Sequence, residues 1–372
     1  MDRLVSVLIP HYDRAALLAE TLQSLVSQSY LNWEAIVVDD ASTGDVWDEL
    51  KQITGRESRI RLFRRAEEPK GPSKCRNQAL ENARGEFVVF LDSDDLLAPW
   101  CLENRVRQLS SSADVDFAVF PAIVFRSRPG DQNALWNSLD SNLSDVDRFL
   151  RGTPPWCISS PMWRIESLQR IGGLNEKLRY GEDAELHLRA LLVGLNGRKF
   201  YNAVPDVFIR RDATKRFASV ISDDLLDAKR TYIREGFHLL QSGHGDQRQV
   251  VAWERRYFEE LEFLIYNVRD NRQPIQQLLD EWMENYRPSA AIRWLFRAYG
   301  VIGRLTCKRA YVLLRATRRI VLGLLPLRFR TSPDDCGFEN AALPPKQFEA
   351  LQRRLGKSKS LSEVEPDCGN DS

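Results

Sequence analysis

Charge of one sign is what this chain most plainly lacks: 53 lysines and arginines stand against 52 aspartates and glutamates, a formal net charge of +1. That balance gives no global attraction to nucleic acid or any other polyanion, so an electrostatic partner must be sought in local clusters. Cysteine is also sparse. Cys75, Cys101, Cys157, Cys307, Cys336 and Cys368 lie far apart, with no C-x-x-C pair and no Cys/His grouping. Such spacing argues against a structural zinc and a disulfide framework and for a reduced, cytoplasmic protein. No stretch of about 18 uncharged apolar residues occurs, so a membrane-spanning helix is not expected. Leu4 to Pro10 is apolar but too short for a signal-peptide core, and an acid, Asp2, precedes it.

What is present suits a folded protein. The 372 residues are 43% hydrophobic and 10% aromatic, enough for about two domains or one large domain with an appendage. The first half alternates β-branched runs with helical patterns, the signature of βαβ units and an α/β sheet. Strands are expected at 4–9, 34–39, 60–64, 86–91, 116–125 and 157–164, and helices at 14–28, 73–83 and 182–194. Acids fall at the strand ends. Because ligands of open α/β sheets bind beyond the carboxyl ends of the strands, Pro10–Asp13, Asp39–Ser42 and Asp92–Asp95 are expected to converge on one crevice.

Taken alone, each segment has an ordinary reading. Asp92-Ser93-Asp94-Asp95 after a buried strand equally suits a metal site or a cap for the helix that follows. Asp39 and Asp40 suit a strand-end turn, and Glu182-Asp183 suit the positive end of a helix dipole. Together, SVLIPHYDR (6–14), VVDDAST (37–43), GPSKCRNQAL (71–80), FLDSDDLLAP (90–99) and GGLNEKLRYGEDAELHLR (172–189) resemble, in order and spacing, glycosyltransferase family 2. These are inverting transferases of the GT-A fold, a Rossmann-like nucleotide-binding sheet with an acceptor-binding half. The resemblance covers roughly residues 4–215.

It implies a role for each matching residue. Asp92 and Asp94 match the D-x-D motif, with Asp94 the primary ligand of Mn²⁺ or Mg²⁺ and Asp92 shared between metal and ribose. Asp39 and Asp40 match the acids that read the base or ribose, and Pro10, His11 and Tyr12 line the base pocket. Asp13 stands where the family has Asn, which keeps an acceptor and removes a donor. Arg76 is placed near the nucleotide. Asp183 is the general base that takes the acceptor hydroxyl's proton, with Glu182 beside it and Arg189 holding the helix. Where the family often has a metal-loop His, this chain has Asp212, a carboxylate that can also ligate the ion. The resemblance thus implies transfer of a sugar from a nucleotide-sugar donor, most often UDP-linked, to a hydroxyl acceptor, in surface polysaccharide or glycolipid assembly. The rival reading is a nucleotide-sugar-binding or scaffold protein of the same fold without turnover.

The expected organisation is a GT-A domain over 1–220, a helical region over 221–331 and a flexible tail over 332–372 with one short helix near 345–355. Residues 287–330 contain no Asp or Glu, and Arg293, Arg297, Arg304, Lys308, Arg315 and Arg319 recur in steps of four and seven. That stripe suits an amphipathic helix on an anionic inner-membrane surface near a lipid-linked acceptor, or equally a packed helix with its basic face in water.

Overall fold

The computed structural model describes residues 3–66, 68–211 and 222–246, a few positions between 248 and 280, and 341–357. Asp212 and the whole of 287–330 lie outside the described residues.

Strands β1 (Val5–His11), β2 (Trp33–Asp40), β3 (Ile60–Arg65) and β4 (Phe87–Phe90) form a parallel unit in the order β3-β2-β1-β4. Both faces of β1, β2 and β4 are covered, which is why VLI, AIVV and FVVF read as apolar runs without alternation, and the polar pair among them, Ser6 and Glu34, is buried with the Ser6 hydroxyl donating to Glu34 at 2.7 Å. Helix α1 (Ala15–Val26) buries Ala15, Leu18, Leu22 and Leu25 along one face, at the three- and four-residue steps of an amphipathic helix. Helix α2 (Gly44–Thr54) connects β2 to β3. Helix α3 (Pro72–Glu81) opens on proline at its first turn, where the missing N–H costs nothing.

The chain moves from β1 to β2 on one side and reaches β4 on the other, so a switch point lies between β1 and β4. Crevices at such points hold ligands. Beyond β4 come β5 (Leu96–Leu97) and α4 (Cys101–Ser110), and then β6 (Phe117–Val119) and β7 (Ala122–Phe125). The single strand expected over 116–125 is therefore two strands in different sheets. Pro121 lies between them, and a proline cannot donate to a ladder.

Two short helices, α5 (Asp145–Leu150) and α6 (Ile165–Arg170), flank β8 (Pro161–Arg164), so the strand expected over 157–164 is confined to its second half. Helix α7 (Glu182–Leu192), β9 (Gly197–Lys199) and β10 (Val207–Arg210) follow. β8, β6 and β9 extend the first sheet to seven strands, while β5, β10 and β7 make a second sheet of three. Helix α8 (Asp223–Leu239) starts at Ser222, whose hydroxyl accepts from the Leu225 amide at 3.2 Å. Its Tyr232 packs against Gly181, where φ is +69° and an added Cβ would lie 2.6 Å from the ring.

Within the tail expected over 332–372, the structure describes residues 341–357, and the short helix expected near 345–355 is present there. Helix α9 (Pro345–Lys357) lies against the three-stranded sheet, and Leu343 and Leu351 are buried with Leu96, Ile123, Phe125 and Phe208. Asn133 holds the approach from both sides: its Oδ1 accepts from the Leu343 amide at 3.0 Å, and its Nδ2 donates to the Leu343 carbonyl at 3.4 Å. The Leu135 amide donates to the Ala341 carbonyl at 2.8 Å. Apolar burial of this kind outweighs the polar composition that suggests mobility. Leu351→Ala should therefore lower stability by about 2–4 kcal/mol, measured by urea unfolding; an unchanged midpoint would show that the helix does not depend on that contact.

Candidate active site

Four strand ends and one helix start build the site. At the end of β1, His11 is buried, and its Nδ1 lies 3.0 Å from Asp39 Oδ1. The Arg14 amide donates to His11 Nε2 at 3.1 Å, so the ring bridges the Asp39 carboxylate and the start of α1. The Ser42 amide donates to Asp39 Oδ2 at 3.0 Å, and its hydroxyl donates to Oδ1. Burial pushes the Asp39 carboxyl up, yet the hydrogen bonds from His11 and Ser42 outweigh it and hold the group below its ordinary range. Asp40 is bound by the Arg65 guanidinium and by the Gly71 amide at 2.7 Å. Neither acid of the VVDD segment is thus free for a ligand as it stands; both tie the loops of the pocket together.

Asp13 has a defined task. Its φ is +48°, its amide donates to Ser42 Oγ at 2.9 Å, and its Oδ1 accepts from the Thr43 amide at 3.0 Å. The acceptor retained by Asp in place of Asn is the atom used. Tyr12 is 49% exposed beside it, with Lys70 Nζ 4.4 Å from its ring centroid. That is the open aromatic face of the crevice. Pro10 closes the strand below, in register with Val38.

Arg76, nearly fully buried on α3, reaches two acids from different parts of the chain. Its Nη2 donates to Asp92 Oδ1 at 2.6 Å and its Nη1 to Glu182 Oε1 at 3.0 Å. Burial disfavours the guanidinium's charge, and the two carboxylates more than restore it. The adjacent Asn77 faces the other way. Its Oδ1 accepts from the Leu174 amide and its Nδ2 donates to the Leu174 carbonyl, both at 2.9 Å. Gly173 must be glycine here, since φ is +66° and an added Cβ would sit 2.6 Å from Asn77 Oδ1. Arg189 donates to the Gly173 carbonyl at 2.8 Å and to Glu185 Oε1 at 2.7 Å. The Arg-Asn pair and the Gly-Gly turn, distant in sequence, are therefore one device that carries the start of α7 to the end of β4.

At that start, Asp183 Oδ1 accepts from its neighbour's amide, Ala184, at 2.7 Å. Burial and, next, the charge of Glu182 push its carboxyl up to about 7. One turn later, His187 stacks on Trp163 at 5.9 Å with rings 2° from parallel, among Phe149 and Trp156. Burial, then the positive charge of Arg76, pushes His187 down to about 3. It is a neutral packing residue.

Asp92, Asp94 and Asp95 offer carboxylate oxygens within 4.8 Å of one another. Asp95 Oδ1 accepts from the Arg210 amide at 2.9 Å and is buried, which leaves Asp94 and Asp92 as the accessible pair. Two carboxylates plus phosphate oxygens form the hard donor set that Mg²⁺ and Mn²⁺ take, so the residues fit such an ion. Asp94 Oδ2 accepts from Arg14 Nη1 at 2.8 Å. Sequence reasoning missed Arg14: it directly follows the pocket motif, but nothing along the chain joins it to an acid 80 residues away. Arg210, at the end of β10, also donates from Nε to the Asp94 carbonyl at 2.9 Å.

A mostly parallel α/β sheet with an acidic crevice at its carboxyl edge, facing a second acid pair on a helix, has the arrangement of the GT-A architecture. Comparison with known proteins narrows the class. Residues 6–156 match Glycosyl transferase family 2. The chain is 30% identical over 223 residues to the putative glycosyltransferase EpsE of Bacillus subtilis, covering 59% of this chain and 78% of EpsE. It is 37% identical over 109 residues to WfgD of Escherichia coli, a UDP-Glc:alpha-D-GlcNAc-diphosphoundecaprenol beta-1,3-glucosyltransferase, covering 29% of this chain and 41% of WfgD. The chain spans as little as 17% of the length of other curated relatives it matches. Among solved structures, S. aureus TarS 1–349 in complex with UDP-GlcNAc superposes with a TM-score of 0.62 at 17% identity, over 86% of this chain and 92% of TarS 1–349. The chain belongs to glycosyltransferase family 2.

Because Arg76 joins both acid pairs, its removal leaves two carboxylates uncompensated. Arg76→Met should cost roughly 3 kcal/mol of stability, measured by urea unfolding. A change within about 0.5 kcal/mol, the range of an ordinary surface substitution, would show that the pair is neutralised by other means.

Proposed function

We propose that the protein is a metal-dependent, inverting glycosyltransferase that moves one sugar from a nucleotide donor, UDP-linked, to a hydroxyl acceptor in the assembly of a surface polysaccharide or glycolipid. The observation that carries this reading is the single guanidinium of Arg76 held between Asp92, on the donor side, and Glu182, on the acceptor side. That juxtaposition supports assigning the diphosphate end and the base end of one reaction to one crevice. A binding protein without turnover needs the first pair and has no use for a carboxyl pushed up to about 7 beside it. The UDP-GlcNAc complex of TarS and the UDP-Glc and diphosphoundecaprenol named for WfgD motivate the UDP-linked donor and a lipid-linked acceptor.

In this reading the base stacks on Tyr12, and its N–H replaces the Ser42 hydroxyl on Asp39 while Asp40 shapes the adjoining loop. Asp92 and Asp94 hold Mn²⁺ or Mg²⁺ against the diphosphate, and Asp212 is assigned as a further ligand. The ion, when bound, supplies Lewis-acid stabilisation of the leaving diphosphate. Asp183 takes the acceptor hydroxyl's proton as that oxygen bonds to the anomeric carbon from the face opposite the breaking carbon–oxygen bond, and the electron pair leaves with the nucleoside diphosphate. Glu182, engaged by Arg76, lies beside it.

The raised carboxyl gives the sign of the pH dependence. A base must be deprotonated to act, so transfer should climb as pH rises through about 7 and level off above it. Asp183→Asn should keep nucleotide affinity and lower transfer by about 10² to 10⁴. Rates of sugar transfer with Mn²⁺ against pH, with calorimetry of UDP binding, check both. A rate that stays flat from acid to neutral pH, or a fully active variant, would move the base elsewhere.

The setting of the reaction is proposed from the basic segment 287–330. No helix among the described residues is long and apolar enough to cross a membrane, so contact with the inner membrane surface is assigned to that arginine stripe on a cytoplasmic enzyme. Binding to anionic liposomes should fall as salt shortens the Debye length to about 8 Å at physiological strength. It should be lost when Arg293, Arg297, Arg304 and Lys308 become Gln. Sedimentation with vesicles decides it: wild-type protein left in the supernatant at low salt would make the stripe a solvated or protein-facing surface.

A further inference from the structure

Three acids meeting within 4.8 Å need counter-charge, since like carboxylates at that range resist being ionised together. Two arginines supply it from two directions. Arg76 is buried and neutralises Asp92 from below. Arg14 neutralises Asp94 from the rim, where the Arg14 side chain is 36% and the Asp94 side chain 19% exposed. The two arginines differ in freedom. Arg76 is committed to a second acid, Glu182. Arg14 is held at its backbone, where the amide donates to His11 Nε2 at 3.1 Å, and among the described residues Asp94 is the acid its 36% exposed side chain pairs with.

The oxygen that Arg14 holds, Asp94 Oδ2, belongs to the residue assigned as primary metal ligand. A divalent ion there would sit within ion-pair reach of a guanidinium, and two cations at that distance repel strongly in a partly enclosed crevice. We propose that Arg14 is a stand-in cation: it rests on Asp94 while the donor site is empty and is displaced onto the donor's phosphate oxygens when the metal and the diphosphate arrive together. A guanidinium fork suits both partners, carboxylate and phosphate, so the move exchanges one charge-assisted contact for another. The consequence is an order of binding. Metal alone must expel Arg14 with nothing to receive it, whereas metal with a diphosphate brings the receiver along. Arg14 is thus a residue that sets how strongly metal and nucleotide depend on each other. The proposal rests on the metal reading of Asp94.

Calorimetry on the full chain tests it, with Mn²⁺ alone, UDP alone, and Mn²⁺ in the presence of UDP, for wild type, Arg14→Gln, Arg14→Lys and Asp94→Ala. Wild type should bind Mn²⁺ alone weakly and gain affinity sharply with UDP. Arg14→Gln should bind Mn²⁺ alone about tenfold tighter, a modest fraction of the repulsion between neighbouring cations. The gain that UDP adds should shrink by at least that factor, because Gln also forfeits the contact to the phosphate oxygens, and by linkage the gain that Mn²⁺ adds to UDP affinity should shrink equally. Arg14→Lys, which keeps the charge, should follow wild type. Arg14→Gln binding Mn²⁺ no tighter than wild type, with Asp94→Ala binding none, would overturn the role of Arg14 and leave the metal site standing. Asp94→Ala binding Mn²⁺ as well as wild type would instead overturn the metal reading itself. Should Arg14→Gln fail to melt cooperatively, the wild type still decides: Mn²⁺ affinity that is the same with and without UDP rules the stand-in out.

Discussion

One buried guanidinium organises this protein. Arg76 lies where the sheet's carboxyl edge meets the start of α7, and it is the point at which two halves of the chain must agree in position. Its charge is costly to bury, and it is tolerated because Asp92 and Glu182 arrive from opposite sides. The rest of the local structure reads as the means of delivering those two acids. β4 carries Asp92 to the crevice, Asn77 grips the backbone at Leu174, Gly173 allows that approach, and Arg189 pins the turn to the helix that bears Glu182. The same contacts place Asp183 where burial and a like charge make it a weak acid. Geometry for one task and electrostatics for another come from a single set of residues.

The β1–β2 side of the crevice follows a similar economy of means. Asp39 does not stand free at its strand end. It holds His11, which in turn holds the Arg14 amide, so the end of β2, the end of β1 and the first turn of α1 form one hydrogen-bonded chain. A change at the ends of β1 and β2 is therefore mechanically close to the acids that follow β4.

What could be read from the sequence was whatever chemistry ties to a fixed place in the chain. Continuous apolar strands ending in acid, such as EAIVVDD and FVVFLDSDD, signal a parallel sheet with a polar crevice, and the structure has both. The partnerships across long separations were hidden. Arg14 and Asp94, or Asn77 and Leu174, carry no mark in the sequence that they meet. The run DFAVFPAIVF looks like one strand because its hydrophobicity is unbroken, and only the lost donor of Pro121 divides it between sheets. Leu343 and Leu351 were obscured for a different reason: they are few and stand in polar surroundings, and their partners lie on strands far earlier in the chain. The helical periods of 44–54 and 101–110 were present but overshadowed by the acidic motifs beside them.

The placement of α9 changes how the chain should be parsed. β10 ends at Arg210, α8 then packs Leu226, Tyr232, Ile233 and Phe237 into the main core, and Leu343 and Leu351 pack behind β5 and β10 from much further along the chain. A ribosome delivers the residues of the crevice early and the last panel of the wall behind β5 and β10 long after them. Folding of the body is then complete only when synthesis has passed residue 357, and any shortening of the chain that spares every motif residue but ends before Leu343 removes part of the support of the strand that follows Asp94 and Asp95.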